Sequence, residues 1–116
     1  MNRNELLNYS FSDGTVKAIV LDEDKVRVRF ELWNAEEITF DFKNCWKIVN
    51  WNSINTEIED VLIVESSKSI EEVKKKIINT GGSEEEANRI YEVVFIDSWY
   101  EKEVLSIIVE DFNIIK

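Results

Sequence analysis

Side-chain chemistry in this chain would have to rest on carboxylates. There is no histidine, which removes the commonest general base and the commonest metal ligand. Ser-His-Asp and Cys-His mechanisms are thereby excluded. The single cysteine, Cys45, can form no intrachain disulfide, and without histidine it cannot build a zinc site of the usual kind. It stands beside Trp46 and close to Ile48, the setting of a buried, inert thiol. The acids remain. Asp97, Glu101 and Glu103 flank Trp99, and Glu110-Asp111 follows a few residues on. Two carboxylates across a cleft can hydrolyse a glycoside. These acids fall at strand ends in an acid-rich chain, however, where solvated carboxylates are the rule. Asp22-Glu23-Asp24 lacks the glycine and distal glutamate of a calcium loop. Gly81-Gly82 lacks the lysine and spacing of a phosphate-binding loop. The expectation is a protein that is not an enzyme and carries no metal or cofactor.

Large aromatics offer binding rather than catalysis. Trp33 falls in a hairpin turn, Trp51 in the asparagine-rich stretch 50–56, and Trp99 with Tyr100 in a second turn; Trp46 follows Cys45. Tryptophan and tyrosine are enriched at binding hot spots. The competing reading is that these rings plug the open ends of a sheet, because aromatics dominate core burial. The candidate partner-binding set is Trp33, Trp51, Asp97, Trp99, Tyr100, Glu101 and Glu103.

Charge narrows the partner. The net charge is −10, which repels nucleic acid and anionic membrane surfaces, and the only basic run is Lys74-Lys75-Lys76. A protein partner with a basic surface is favoured, since opposite potentials speed association. The same acidity also serves solubility. The opening residues, Met1 to Glu5, are followed by no apolar stretch of a signal peptide, and no run is long enough to span a bilayer. A cytoplasmic protein is expected.

The elements that must position these residues follow from periodicity. At 116 residues the chain has room for one domain, residues 1–116, with a core of its own. Ile90–Ile96 and Val104–Val109 are apolar on both faces around a polar turn, which predicts a hairpin covered on both sides, at the centre of a sheet. Lys25–Leu32 alternates perfectly, with Val26, Val28, Phe30 and Leu32 inward, and Glu37–Phe42 repeats the pattern. Parity requires an odd-numbered loop between them, either Asn34–Glu36 or Trp33–Ala35. The first sets Arg29 opposite Asp41; the second sets Arg27 there. Thr15–Leu21, a short strand within Lys43–Val49, a buried strand at Ile58–Val64 and an edge strand at Phe112–Lys116 complete the set. Asn4–Tyr9 could make one helical turn with Leu6 and Leu7 inward. Ser69 and Glu72 have capping-box spacing, which predicts a helix from Ser69 to Asn79 with Ile70, Val73 and Ile77 on one face. Ser83 and Glu86 predict a second, shorter one. The class is α+β: a curved, mostly antiparallel sheet of about six strands with one main helix packed on a face.

Three segments also carry a resemblance. Phe11-Ser12-Asp13-Gly14-Thr15-Val16-Lys17-Ala18-Ile19, then Val26–Trp33, then Ile38-Thr39-Phe40-Asp41-Phe42 resemble small acidic bacterial immunity proteins of polymorphic-toxin systems. Tyr91–Phe95, Asp97-Ser98-Trp99 and Val104–Val109 are similar to the closing hairpin of that family. The likeness is one of pattern and rhythm, with no invariant motif to transfer residue by residue. It implies a cytoplasmic protein that binds and neutralises a cognate toxin. The alternatives are a self-associating structural or regulatory domain, forming a homodimer through a sheet edge or the C-terminal tail, and a small carboxylate-dependent hydrolase.

Overall fold

The computed structural model describes residues 3–116; Met1 and Asn2, part of the opening read for a leader, lie outside the described residues. The fold is α+β. Eight strands form one open antiparallel sheet: β1 (Gly14–Asp22), β2 (Lys25–Glu31), β3 (Glu37–Lys43), β4 (Lys47–Asn50), β5 (Glu57–Val64), β6 (Tyr91–Asp97), β7 (Glu103–Val109) and β8 (Asp111–Ile115). Their order is β4-β7-β6-β5-β1-β2-β3-β8, so the expected count of about six was low. A short 3-10 helix, Arg3–Asn8, precedes β1, and helices α1 (Lys68–Asn79) and α2 (Glu84–Ala87) lie between β5 and β6. No helix among the described residues is long and apolar enough to cross a membrane.

The sheet is nearly two sheets. β1 and β5 share only the pairs Gly14↔Ile58 and Thr15↔Glu57. Just beyond that junction each strand has a bulge, between Val16 and Ala18 in β1 and between Ile58 and Asp60 in β5. Bulges bend a strand and increase its twist, so the two halves turn their apolar faces toward each other. Phe95 of β6 thus meets Phe30 of β2 and Phe40 of β3, and Tyr91 of β6 meets Phe112 of β8. At the opposite corner the chain crosses between halves twice, at residues 44–46 and at Glu110.

Inward residues of β2 and β3 alternate as expected, and Val28, Phe30, Phe40 and Phe42 are fully buried. The β2–β3 register is the second of the two allowed, with Arg27 opposite Asp41. The Arg27–Asp41 pair lies at 3.5 Å, and Arg29 pairs diagonally with Glu37 at 2.8 Å. That contact holds the Glu37 carboxyl below the usual carboxylate range and the Arg29 guanidinium above its own.

The β6–β7 hairpin is buried on both faces. Tyr91, Val93, Phe95, Leu105, Ile107 and Val109 face the main core, while Ile90 and Ile108 pack with Ile70, Val73, Ile77 and Ala87 of the helices. It is not the centre of the sheet: β7 is next to an edge and the middle is the β5–β1 junction. The helix cover, rather than central placement, explains its doubly apolar sequence. The buried run expected at Val61–Val64 is only half so. Val61 faces the main core and is buried, whereas Leu62, opposite Val94 on the other face, is exposed, because the helix-side cluster reaches β5 at Val64 and not at Leu62.

Two local expectations are corrected. α1 is capped by Ser67, whose Oγ accepts from the Ile70 N–H at 3.1 Å, not by Ser69. Ser69 Oγ instead lies 3.4 Å from Lys47 Nζ. At the other end, Gly81 takes φ 97°, and the N–H groups of Gly81 and Gly82 donate to the carbonyls of Ile78 and Ile77. This is a Schellman termination, for which a left-handed residue is required. In the N-terminal turn Leu6 packs against the core but Leu7 is 83% exposed. Its Glu5 reaches the sheet edge, where Oε2 accepts from the Ile114 N–H at 2.7 Å.

Candidate functional site

Register sets Glu31, Thr15, Glu57 and the end of β6 in one row across the sheet, with the aromatic turns leaving from it. Glu31 pairs with Thr15, Thr15 with Glu57, Ile58 with Asp97, and Asn50 with Leu105. The loop after β4 and the β6–β7 turn emerge along the same rim, carrying Trp51, Trp99 and Tyr100. β2 runs parallel to β7, so the β2–β3 turn carries Trp33 off the row in the opposite direction. Trp46 leaves from the opposite end of β4, where its Nε1 lies 3.4 Å from Glu110 Oε2.

Each ring is held outward by backbone geometry. In the first turn Ala35 N–H donates to Leu32 O and Leu32 N–H to Glu36 O, and Ala35 takes φ 70°. A three-residue loop closed by a left-handed residue is a standard hairpin connection, and it leaves Trp33 at the tip. In the second, Trp51 N–H donates to Val104 O. Asn50 Oδ1 then accepts from both N–H and Oγ of Ser53, at 2.9 and 2.6 Å. Asn52 and Asn55 adopt positive φ, which asparagine tolerates better than most residues. In the third, Asp97 organises the turn. Its Oδ1 accepts from Lys102 N–H at 2.9 Å and its Oδ2 from Tyr100 N–H at 3.2 Å. Ser98 N–H ties the turn to Glu57 O.

The rings are exposed: Trp33 66%, Trp51 70%, Trp99 77% and Tyr100 78%. They do not plug the sheet; that work is done by Phe11, Phe30, Phe40, Phe42, Phe95 and Phe112. Trp51, Trp99 and Tyr100 line one cleft of about 510 Å³ with Asn52, Asn55, Glu57 and Val104. Trp33 lies outside this cleft. Glu101 and Glu103 are exposed acids beside the cleft, and Glu36 and Glu37 are exposed at the Trp33 turn. Partial burial, reinforced by the Glu92 carboxylate, pushes the Glu103 carboxyl up. Asp97 is different from these: it is 5% exposed, and it shapes the turn instead of standing on its surface.

The candidate acids divide between the two ends of β7. Asp97 spends both oxygens on backbone N–H groups. Glu110 and Asp111 follow β7 at its far end, beside Trp46. Cys45 is half-buried, and burial pushes its thiol up, away from the reactive thiolate. Asn52, Asn55, Glu57 and Val104 were missed as site residues. The asparagines had a signal, since an asparagine-rich loop favours left-handed backbone; Glu57 and Val104 had none, because only the register of distant strands brings them here.

No family model, no curated protein and no solved structure matches the chain.

Proposed function

We propose that the protein is a non-catalytic protein-binding protein, most concretely an immunity protein that binds and neutralises a cognate toxin in the cytoplasm. The observation that carries this reading is the rim: three large aromatic side chains, Trp51, Trp99 and Tyr100, held outward around one cleft by two separately braced turns, beside Glu101 and Glu103. Keeping such rings in water forgoes burial worth about 1.5–3 kcal/mol for a large apolar side chain. A contiguous exposed apolar patch rimmed by polar groups is characteristic of an interaction surface. Trp51, Trp99 and Tyr100 would serve as anchors, and Trp33, on its own turn, would offer a separate contact. Glu101 and Glu103 would steer a basic partner, and Asp97 would act through the turn it holds.

Self-association through the C-terminal strand is less favoured by the geometry. β8 is an edge, but Glu5 occupies its Ile114 N–H, and charged side chains at an edge oppose strand-to-strand pairing. The test is co-expression with the protein encoded beside this one in its source genome. If that neighbour arrests growth, co-expression of this chain restores it, and a Trp51→Ala/Trp99→Ala double variant does not. A neighbour that neither arrests growth nor binds the purified chain would remove the immunity reading.

A further inference from the structure

The splayed junction leaves strand backbone open on two sides, residues 17–22 of β1 and 59–64 of β5, and the second faces a groove. β1 begins at Gly14, opposite Ile58, and the described residues before it supply no strand, so from residue 59 to 64 β5 pairs only with β6. Its free side is readable. Val61 N–H donates to the adjacent Asp60 Oδ1 at 2.8 Å, so it points away from β6. In an antiparallel ladder the outward groups alternate, which places the N–H and C=O of Ile63 on the same open side. A groove of about 480 Å³ runs along this edge, walled by Asp60, Val61, Leu62 and Ile63 on one side and by Leu6, Leu7, Tyr9 and Phe11 on the other. Asp60 is its one charged lining residue.

From this we infer that the groove receives an extended, lysine- or arginine-bearing segment of a partner protein, which adds to β5 as a further strand. Strand addition uses main-chain hydrogen bonds for affinity and alternate side chains for specificity, and this edge offers both. The incoming carbonyls take over the Val61 and Ile63 N–H groups, its apolar side chains meet Leu7 and Leu62, and a cation meets the released Asp60 carboxylate. Charge disfavours the simplest rival: a second copy would bring another −10 toward Asp60, and like charges raise the cost of such contact. The two outermost edges are poorer. β4 has four residues, and β8 is capped by Glu5.

The probe is a capped peptide of about six alternating lysines and valines, the usual length of a strand, titrated into 15N-labelled protein. A second peptide of the same charge carries a central proline, which cannot complete the ladder. The expected result is amide shifts at Val61 and Ile63, slowed exchange of the Ile63 amide, and binding of the proline peptide weaker by about tenfold or more. Asp60→Lys, an exposed change checked for an unaltered thermal transition, weakens the first peptide similarly. Equal binding of both peptides, shifts confined to the Trp51–Trp99 rim, or indifference to Asp60→Lys would overturn the inference. Concentration-dependent dimers that protect the same amides would overturn it in favour of a second copy.

Discussion

Trp99→Ala separates an anchor from a structural ring. At 77% exposed, Trp99 removes only about a quarter of its surface from water. A tryptophan offers up to about 250 Å², so about 60 Å² is buried. At about 25 cal/mol/Å² this is about 1.5 kcal/mol, an upper estimate because unfolded chains already bury some apolar area. Phe40→Ala is the internal comparison. Its ring is fully buried and lies 5.2–5.8 Å, centroid to centroid, from those of Phe11, Phe42 and Phe95. Truncating such a ring costs about 3–5 kcal/mol. Urea unfolding followed by far-UV circular dichroism, which does not depend on the deleted fluorophore, gives both values. Trp99→Ala lowers the unfolding free energy by about 1.5 kcal/mol or less, and Phe40→Ala by at least twice as much. Equal losses would mean that Trp99 holds the fold, and the argument for an outward anchor would collapse.

Other consequences are smaller. Ser67→Ala removes the α1 cap and costs about 1 kcal/mol, whereas Ser69→Ala changes the urea midpoint little; the reverse order would restore Ser69 as the cap. Glu103 binds its proton more tightly in the folded chain than in the unfolded one. Stability from that proton is complete below the ordinary carboxylate range and is lost as pH rises through the raised folded value. Glu103→Gln therefore matches the parent at low pH and is mildly more stable at neutral pH, as read from thermal midpoints across the range. A variant less stable than the parent at neutral pH would show that the Glu103 charge supports the fold.

Much of the fold was legible because neighbouring strands carry their own instructions. Perfect alternation in Lys25–Leu32 and Glu37–Phe42 set the inward face, and parity reduced the hairpin to two registers. The choice between them lay in the turn, where Ala35 accepts a left-handed conformation that its residue type does not advertise. The bulges in β1 and β5 were hidden for a related reason. Ile19 packs against the core while Leu21 faces water, and continuous apolar runs do not show where alternation slips. Ser69 looked like the cap because Glu72 completes the usual box. Ser67 has Ile70 at that spacing, and it caps through the backbone N–H alone. Pairing of β4 with β7 and β8 with β3 joins segments far apart in the chain, about which local pattern is silent. At the rim, the aromatic turns were readable from turn residues. The convergence of Trp51 with Trp99 and Tyr100 was not, since it depends on the pairing of β4 with β7, segments far apart in the chain. Asp97 was read as a surface acid because an Asp beside a turn looks alike whether it faces water or the backbone.

The central claim is that the aromatic rim meets a basic partner. The direct measurement is stopped-flow association with the neighbour-encoded protein, from about 0.1 M to about 1 M salt, where the screening length falls from about 10 Å to about 3 Å. The account predicts an on-rate that drops steeply with salt, a further drop for Glu101→Gln, and for Trp99→Ala a faster off-rate with a nearly unchanged on-rate. An on-rate indifferent to salt, together with an unaltered off-rate for Trp99→Ala, would contradict it.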